Sequence, residues 1–354
     1  MKVLVINPGS TSTKIAVFED EKQIFKYSIS HSLEELAGYK TVIDQLDFRR
    51  QLVLDELKKA GIALDFAAVI GRGGLLKPLE GGVYEVNDLM KKDIRNSTHS
   101  HASDLGCLIA SDIAGEIAGC RSFIADPVVV DELNDEARTS GSPLMPRISI
   151  WHALNQKAMA RRFAKDNNKN YEDLNLIVCH LGGGISVAAH EHGRCVDVNN
   201  ALDGEGPMAP ERAGTLPAAD LVRLCFSGKY DMKTILSFIA GKESGVSAHL
   251  GTNDMREVED RVNAGDEKAK KVIDAMIYHI AKSIAAQGAV FCGKVDGIII
   301  TGGIAHWKYV VEELKRRVSF LAPVHIYAGE DELEALALNA LAVVRGEREA
   351  KEYK

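Results

Sequence analysis

The first polar turn of the sequence combines residue types that can bind phosphate. Between the apolar runs Val3–Ile6 and Ile15–Phe18, residues 7–14 read NPGSTSTK. Short apolar runs bounded by Pro and Gly are typical of buried strands, so this segment predicts a hairpin. Gly9 allows close backbone approach, and the hydroxyls and Lys14 suit phosphate oxygens. The turn is not a Walker A loop, because a strand follows the lysine. An ordinary polar hairpin is the alternative.

A second glycine turn, residues 182–184, lies near the middle of the chain. It follows a strand predicted over Leu174–His180 and precedes strands predicted over Ile185–Ala189 and Arg194–Val198. The two strand–turn–strand units are separated by about half the chain, which indicates internal duplication with a cleft between the halves. A third glycine turn, Gly302-Gly303, follows the strand predicted over Gly297–Ile300.

Charged side chains follow two other predicted strands. Arg72 stands among glycines after the strand Ala67–Ile70, so no neighbouring side chain obstructs its approach to a ligand. A solvated loop arginine is the alternative. Asp126 ends the strand Ser122–Ala125, at the edge where open α/β sheets bind ligands. It could equally cap the segment that follows.

Two histidines lie where they could reach such a site. His180 ends the strand before the middle glycine turn, and His152 lies near the start of a helix predicted over Ile148–Ala164. Their structural alternatives are a satisfied buried histidine and a helix cap, respectively. Five further histidines are expected to be surface or structural residues, namely His99, His190, His192, His249 and His306.

Composition restricts the classes of function. The net charge of −7 argues against nucleic acid as a partner. The six cysteines form no CxxC pair, which favours reduced thiols in a cytoplasmic protein. No apolar run approaches the ~18 residues of a membrane span, and the N-terminus lacks a signal pattern.

The chain length of 354 residues predicts about two domains. Pro143 and Pro146 mark the boundary. We expect one domain over residues 1–146 with a C-terminal helix over about 331–354, and a second over 147–330. Further helices are predicted over Tyr39–Gly61, Asp104–Ala118, Leu216–Phe226, Met232–Ala240, Asp254–Val262 and Lys268–Phe291, and from Asp331 to about Arg348.

Three stretches together resemble the acetokinase family of the actin, Hsp70 and sugar-kinase superfamily. They are VLVINPGSTSTKIAVF at the start, VCHLGGGISVA with DVNNALDGEGPMAPERAG in the middle, and DGIIITGGIAH later. The resemblance covers nearly the whole chain. It implies a duplicated, actin-like and ribonuclease H-like α/β fold of two domains, with mixed central sheets flanked by helices and a cleft between the domains.

The resemblance also implies binding residues for ATP or ADP and Mg²⁺. Matching the phosphate site are Asn7, Ser10, Ser12, Lys14 and the turn Gly182, Gly183 and Gly184. Matching the adenosine contacts are Asp254, Arg256, Gly302, Gly303 and Ile304. The metal is assigned to Asp126 and to Asp331 or Glu332, between which the spacing does not choose.

The catalytic residues implied by the family are two arginines, two histidines and one aspartate. Arg72 and Arg212 match the arginines, His152 and His180 match the histidines, and Asp126 matches the aspartate. His101 matches a further family histidine less closely. We expect Arg72 to hold the substrate carboxylate, Arg212 to stabilise the transferring phosphoryl group and His180 to donate to its equatorial oxygens, with His152 doing the same or positioning a loop.

The implied reaction transfers the γ-phosphoryl group of ATP to a short-chain carboxylate, most of all butanoate. A carboxylic acid is ionised at neutral pH, so no general base is needed. Two unit anions 4 Å apart repel by about 4 kcal/mol at an effective dielectric of 20, which explains the need for cations. Acetate kinases have Asn at the position of Gly183 and are longer, which disfavours acetate.

Branched-chain, propionate or acetate kinases are alternatives within the family. A sugar kinase would need an aspartate base near the acceptor hydroxyl. A non-enzymatic ATP-dependent sensor or scaffold would need a further partner-binding domain or surface. The expected partners are a small carboxylate, a nucleotide and a second copy of the chain in a homodimer or larger oligomer, with no nucleic acid and no membrane.

Overall fold

The structure, a computed structural model, describes residues 1–97 and 101–354. His99 therefore lies outside the described residues. No helix among those residues has the length and apolar character needed to cross a bilayer. The six cysteines are free thiols.

Twelve strands form within the described residues, and most are the apolar runs that predict them. They are β1 Lys2–Pro8, β2 Ser12–Glu19, β3 Lys22–Ser30, β4 Ala68–Arg72, β5 Val83–Glu85, β6 Arg121–Ala125, β7 Asn175–Leu181, β8 Ile185–Glu191, β9 Arg194–Val198, β10 Gly297–Gly302, β11 Val324–Ala328 and β12 Lys351–Glu352.

The same residues form thirteen α-helices. They are α1 Leu33–Ala37, α2 Leu46–Lys59, α3 Asp88–Arg95, α4 Asp104–Gly115, α5 Asp135–Arg138, α6 Ala153–Asp166, α7 Ala218–Cys225, α8 Met232–Ile239, α9 Gly245–Leu250, α10 Met255–Asn263, α11 Glu267–Val290, α12 Lys308–Val318 and α13 Glu332–Val344. Short 3₁₀ turns cover Ile43–Gln45, Tyr171–Asp173 and Gly303–His306.

Two helices begin later than their sequence pattern predicts. The helix predicted from Tyr39 starts at Leu46, after a 3₁₀ turn. The helix predicted from Ile148 starts at Ala153, because the preceding backbone pairs with other segments. The N–H of Arg147 donates to the carbonyl of Arg138 at 3.0 Å, and the Ile150 carbonyl accepts from Ala201 at 2.9 Å.

Met1–Val130 and Asp331–Lys354 form one compact unit around a mixed sheet. Its strand order is β12-β5-β6-β4-β1-β2-β3. β1 to β3 are antiparallel, whereas β4 is parallel to both β1 and β6. Helices α4 and α13 both pack against β1 and β4. The C-terminal helix therefore completes this unit, with Leu333 and Leu336 buried.

Asp131–Glu330 form the other unit, built on the sheet β11-β10-β7-β8-β9. β7 to β9 are antiparallel, and β10 runs parallel to β7 and β11. The long helix α11 covers β7 and β8, with Ile277 and Ile284 in the core. Helix α6 packs against β7 and β10.

The two sheets repeat one strand arrangement, which confirms the duplication predicted from the glycine turns. The order β3-β2-β1-β4-β6 in one unit corresponds to β9-β8-β7-β10-β11 in the other. An irregularity in register recurs between the second and third strands of each sheet, at Val17/Phe18 and at Ala189/His190. The fold is the mixed α/β arrangement expected from the resemblance.

The chain passes from the first unit to the second between Val130 and Asp131, earlier than the boundary predicted at residue 146. The residues after Val130 are held by the second sheet. The N–H of Asn134 donates to the carbonyl of Val196 at 3.0 Å, and Glu132 forms a buried ion pair with Lys157 at 2.9 Å. Pro143 and Pro146 mark a loop inside the second unit instead of its edge.

Candidate active site

The phosphate-type turn between β1 and β2 is held from below by a buried arginine. The Arg49 guanidinium donates to the carbonyls of Gly9 at 2.8 Å, Ser12 at 3.2 Å and Ser10 at 3.1 Å. It also donates to Thr13 Oγ1 at 3.1 Å. With the carbonyls turned inward, Ser10 is exposed and Ser12 half-buried.

Arg49 is 1% exposed, and among the described residues no carboxylate pairs with it. Burial lowers its pKa, but an arginine stays charged at neutral pH. Sequence reasoning missed this residue, because Arg49 lies in a segment predicted to be helical, where its pattern indicates the polar, solvent-facing side. Lys14, which was predicted, is exposed on β2 opposite Asn7.

The glycines around Arg72 allow close packing of the strand end, in addition to the unobstructed approach to a ligand that the sequence predicts. A Cβ atom added to Gly71 would lie 2.0 Å from the carbonyl oxygen of Gly106 at the start of α4. One added to Gly74 would lie 1.9 Å from Asp104 Oδ1. The strand end that carries Arg72 is thus fixed directly against α4.

Arg72 is ion-paired with Glu332, and Asn7 donates to the second oxygen of Glu332 at 2.7 Å. Both charged side chains are about one-fifth exposed, at 19% and 18%. Asp331 instead caps α13 by accepting from the N–H of Glu334 at 3.2 Å. The structure thus places Glu332 in contact with Arg72 and Asn7, two other predicted site residues. Oδ1 of Asp331 caps the helix instead.

Asp126 is buried at the end of β6 with a positive φ of 38°. Its Oδ1 accepts from the N–H of Gly82 at 2.7 Å, and its own N–H donates to the Gly82 carbonyl at 3.0 Å. One carboxylate oxygen therefore holds the backbone of Gly82, earlier in the chain, and this contact is not a cap of the segment that follows Asp126.

His101 lies in the electrostatic range of Arg72. Burial lowers the pKa of His101, Asp104 opposes that shift, and the charge of Arg72 adds to it. The ring Nδ1 of His101 lies 2.8 Å from Ser103 Oγ, and the backbone N–H of His101 donates to Asp104 Oδ2 at 2.7 Å. These contacts place His101 at the start of α4, beside the strand end that carries Arg72.

The residues assigned to Mg²⁺ do not form a closed protein site. Among the described residues, no three potential metal ligands cluster. Mg²⁺ is often held by one or two carboxylates together with waters and substrate phosphates. Glu332 fits that pattern as one carboxylate beside the phosphate-type turn, although its oxygens contact Arg72 and Asn7 in this structure.

In the second unit, the glycine turn leaves room for two histidine rings. A Cβ atom added to Gly182 would lie 2.9 Å from Nε2 of His180, and one on Gly184 would lie 3.6 Å from Cε1 of His152. The two rings stack at a centroid distance of 3.9 Å and an interplanar angle of 12°. A Cβ atom added to Gly183 would lie 3.5 Å from Glu211 Oε2.

Both histidines are held by hydrogen bonds at Nδ1. Nδ1 of His180 lies 2.9 Å from Asn155 Oδ1, and its Nε2 lies 3.0 Å from Glu330 Oε1. Nδ1 of His152 lies 2.8 Å from Ser186 Oγ. His152 precedes α6 as its N-cap residue without a side-chain capping bond, so the cap considered from sequence is absent from the described contacts.

Arg212 is positioned through its backbone. Its carbonyl accepts from the N–H of Ala209 at 3.0 Å, and a Cβ atom added to Gly245 would lie 2.6 Å from that carbonyl oxygen. The guanidinium donates to the Glu211 carbonyl at 2.7 Å. Its buried Nε has no hydrogen-bond partner among the described residues, so donor capacity remains for a ligand.

Glu211 connects the glycine turn to the residues assigned to adenosine, a role that sequence reasoning missed. Its N–H donates to the Gly183 carbonyl at 3.1 Å, and its Oε1 accepts from Asn253 at 2.8 Å. Asp254 follows and caps α10 by accepting from the N–H of Arg256 at 2.9 Å. That hydrogen bond and Arg256 lower the pKa of Asp254.

The turn after β10 needs glycine at its first position. Gly302 has a φ of 90°, and a Cβ atom there would lie 2.3 Å from the Leu181 carbonyl oxygen. The space around Gly303 is open. Ile304 points into the hydrophobic core, so only its backbone is available to a nucleotide.

Comparisons with known proteins agree on one family. The profile of the acetokinase family matches residues 149–336. A probable butyrate kinase of Bacteroides thetaiotaomicron is 56% identical over 354 residues, covering 100% of both chains. Butyrate kinase 2 of Clostridium acetobutylicum is 53% identical and covers 100% of this chain and 99% of its own.

A solved acetate kinase of Porphyromonas gingivalis superposes with a TM-score of 0.79, covering 97% of this chain and 99% of that one. Its sequence is 19% identical. That structure supports the fold, whereas the two butyrate kinases match the sequence across its whole length.

Proposed function

The chain belongs to the acetokinase family, and from this premise we propose that it transfers the γ-phosphoryl group of ATP reversibly to butanoate, giving butanoyl phosphate and ADP. The observation that carries the proposal is the similarity to proteins named butyrate kinase, which exceeds half of all positions over the full length. Propionate, isobutyrate and acetate are the alternative acceptors.

The reaction is a direct in-line displacement. A carboxylate oxygen of butanoate forms a bond to the γ-phosphorus, while the bond from that phosphorus to the bridging oxygen breaks and ADP leaves with the electron pair. The acid is already ionised near neutral pH, so no side chain has to remove a proton. The protein must instead offset the repulsion between the carboxylate and the polyphosphate.

Arg72 is assigned to the substrate carboxylate because its planar guanidinium matches a carboxylate with two parallel hydrogen bonds. In the structure it already binds the carboxylate of Glu332, which supports that chemistry. Arg212 and His180 are assigned to the oxygens of the transferring phosphoryl group. The unpartnered Nε of Arg212 among the described residues supports its share.

Nucleotide binding is assigned to the turn residues that the sequence predicts. Asn7, Ser10, Ser12 and Lys14 offer amide, hydroxyl and ammonium donors, and Gly182–Gly184 offer backbone N–H groups. Asp254, Arg256 and the backbone of Gly302–Ile304 are assigned to adenosine. Mg²⁺, when bound, would neutralise phosphate charge, with Glu332 holding it and Asp126 or Asp331 acting through water.

The activity is tested by trapping the acyl phosphate with hydroxylamine as a hydroxamate. Purified protein is incubated with ATP, Mg²⁺ and each unbranched or branched acid from C2 to C5. We expect kcat/KM to be highest for butyrate. Absence of hydroxamate with every acid overturns the proposal, and ADP release that depends on glucose or glycerol favours a sugar kinase. ATP binding without any acceptor-dependent turnover favours a sensor or scaffold.

We also propose that the protein acts as a homodimer or larger homo-oligomer in the cytoplasm. Apolar side chains are exposed on α7, at its C-cap and at the start of α8 in the second unit, with Val222 55%, Phe226 87% and Met232 78% exposed. Exposed apolar side chains that cluster on a surface mark protein interfaces. The free cysteines fit a reducing compartment.

A further inference from the structure

A chain of hydrogen bonds runs through the core of the second unit and ends at His152. Tyr171 Oη lies 2.5 Å from Nδ1 of His190, whose Nε2 lies 3.0 Å from Oε1 of Gln156. Nε2 of Gln156 lies 2.7 Å from Ser186 Oγ, which lies 2.8 Å from Nδ1 of His152. We call Tyr171, His190, Gln156 and Ser186 the buried relay.

The direction of every hydrogen bond in the relay follows from one backbone group. Nε2 of Gln156 also contacts the carbonyl oxygen of Ser186 at 3.1 Å. A carbonyl only accepts, so the atom facing it is the amide nitrogen, and Oε1 faces His190. Nε2 of His190 must then donate, and its Nδ1 accepts from the hydroxyl of Tyr171.

This direction requires a neutral His190, and its surroundings favour that state. The ring is fully buried, and burial together with the charges of Lys157 and Arg161 lowers its pKa well below the ordinary value. A neutral ring carries one proton, here on Nε2, and one acceptor nitrogen. Each ring nitrogen of a neutral His190 therefore has a matching hydrogen-bond partner in the relay.

The relay orients the hydroxyl of Ser186. That oxygen accepts from the Gln156 amide at 2.7 Å and, more weakly, from the backbone N–H of His152 at 3.5 Å. With both acceptor positions used, the hydroxyl hydrogen points to Nδ1 of His152. Nδ1 is then an acceptor, and the ring proton of His152 must lie on Nε2.

Resting on the function proposed above, we propose that the buried relay consists of positioning residues that hold His152 as an Nε2–H donor facing the glycine turn. A Cβ atom added to Gly184 would lie 3.9 Å from this nitrogen. In this state His152 gives a hydrogen bond to an oxygen of the transferring phosphoryl group without placing a positive charge against the stacked ring of His180.

The tautomer is measured directly, without substrate, by long-range ¹H–¹⁵N NMR of protein labelled with ¹⁵N-histidine near pH 8. His152 and His190 are each expected to carry the ring proton on Nε2 alone. In Ser186→Ala, His152 loses its Nδ1 donor, so its Nδ1 resonance moves and the Nδ1–H form appears. Circular dichroism checks that the variant is folded.

Kinetics supply the second readout. Ser186→Ala is expected to lower kcat by about 10-fold and Tyr171→Phe by about 3-fold, the range for one lost hydrogen bond, with KM for ATP and butyrate unchanged. Tyr309→Phe is the matched control. It removes a hydroxyl that bonds Asp274 at 2.5 Å, outside the relay, and should leave kcat and the His152 resonances unchanged.

A wild-type His152 with its proton on Nδ1, or with protons on both nitrogens, overturns the proposal. So does Ser186→Ala with unchanged resonances and kcat. If Ser186→Ala does not fold, Tyr171→Phe decides, because unchanged kcat and unchanged His152 resonances in that variant would overturn the proposal. An Nε2–H His152 in a protein that makes no hydroxamate would reject the proposed function and leave the relay standing.

Discussion

Arg72 is ion-paired with Glu332, a residue 260 positions later in the sequence, and Asn7 binds the other oxygen of the same carboxylate at 2.7 Å. The start of the chain, the end of β4 and the first turn of the C-terminal helix α13 therefore meet within one unit. The guanidinium contacts a carboxylate of the protein, which the substrate carboxylate proposed for Arg72 would have to replace.

Substitution of Glu332 should change the use of Mg²⁺. Glu332→Gln removes the negative charge, so we expect the Mg²⁺ concentration for half-maximal hydroxamate formation to rise and kcat to fall by roughly 10- to 100-fold. Glu334→Gln on the same helix is the matched control. An unchanged Mg²⁺ dependence in Glu332→Gln would remove this residue from the metal site.

Replacement of Arg49 should loosen the phosphate-type turn. In Arg49→Lys a single ammonium cannot reach the carbonyls of Gly9, Ser10 and Ser12 together, so buried acceptors lose their donors. We expect the free energy of unfolding to fall by about 3 kcal/mol and KM for ATP to rise.

Chemical denaturation and initial rates measure the two effects. Arg50→Lys, the neighbouring arginine that pairs with the exposed Glu116, should change neither. Loss of stability in Arg49→Lys without any change in KM would mean that the arginine supports the fold and not the turn's binding role.

Arg212 should matter for the chemical step. Arg212→Ala removes a donor proposed for the transferring phosphoryl group, so we expect kcat to fall by about 10²-fold or more. Arg223→Ala is the control, because Arg223 is exposed on α7 and pairs with Asp220 three positions earlier on the same helix. Near-normal turnover in Arg212→Ala would exclude this residue from the reaction.

Stability should fall on mild acidification because of His31. Burial, and next the charge of Arg49, lower its pKa from 6.5 to about 4 in the folded protein. Between these values the unfolded chain binds the proton and the folded one does not, so stability rises with pH and is lost as pH falls from 6.5 towards 4. At pH 5 the loss from this group is about 2 kcal/mol.

The measurement is urea denaturation at pH 7 and pH 5. His31→Gln keeps an acceptor for Thr13 Oγ1, which lies 2.8 Å from Nε2 of His31, and should show a smaller difference between the two pH values. His249→Gln, at an exposed site, should behave as the wild type. Equal pH dependence in His31→Gln and the wild type would contradict the assignment.

The exposed apolar side chains of α7, its C-cap and α8 predict a contact between two copies of the chain. Phe226→Asp should raise the dissociation constant of the dimer, measured by analytical ultracentrifugation, because the charge would be desolvated in an apolar contact. Phe320→Asp is the control, since Phe320 is 75% exposed elsewhere in the second unit. A dimer unaffected by Phe226→Asp would place the contact on another surface.

The elements that the sequence predicted well are those with strong local patterns. Strands β1, β2, β7 and β8 are short apolar runs that are buried, and the glycine turns between them interrupt that burial. The start of α6 was predicted too early because the backbone before Ala153 pairs with Arg138 and Ala201, which no local pattern indicates.

The sequence by itself determined the family, the duplicated strands and the residue types of the candidate site, because those are carried by local motifs and by apolar periodicity. Only the tertiary structure decided that Arg49 lies under the first turn, that Glu332 and not the capping oxygen of Asp331 meets Arg72, and that Ser186 faces His152. Each of these contacts joins residues far apart in the chain, and its formation depends on which surfaces are buried together when the sheets pack against their helices.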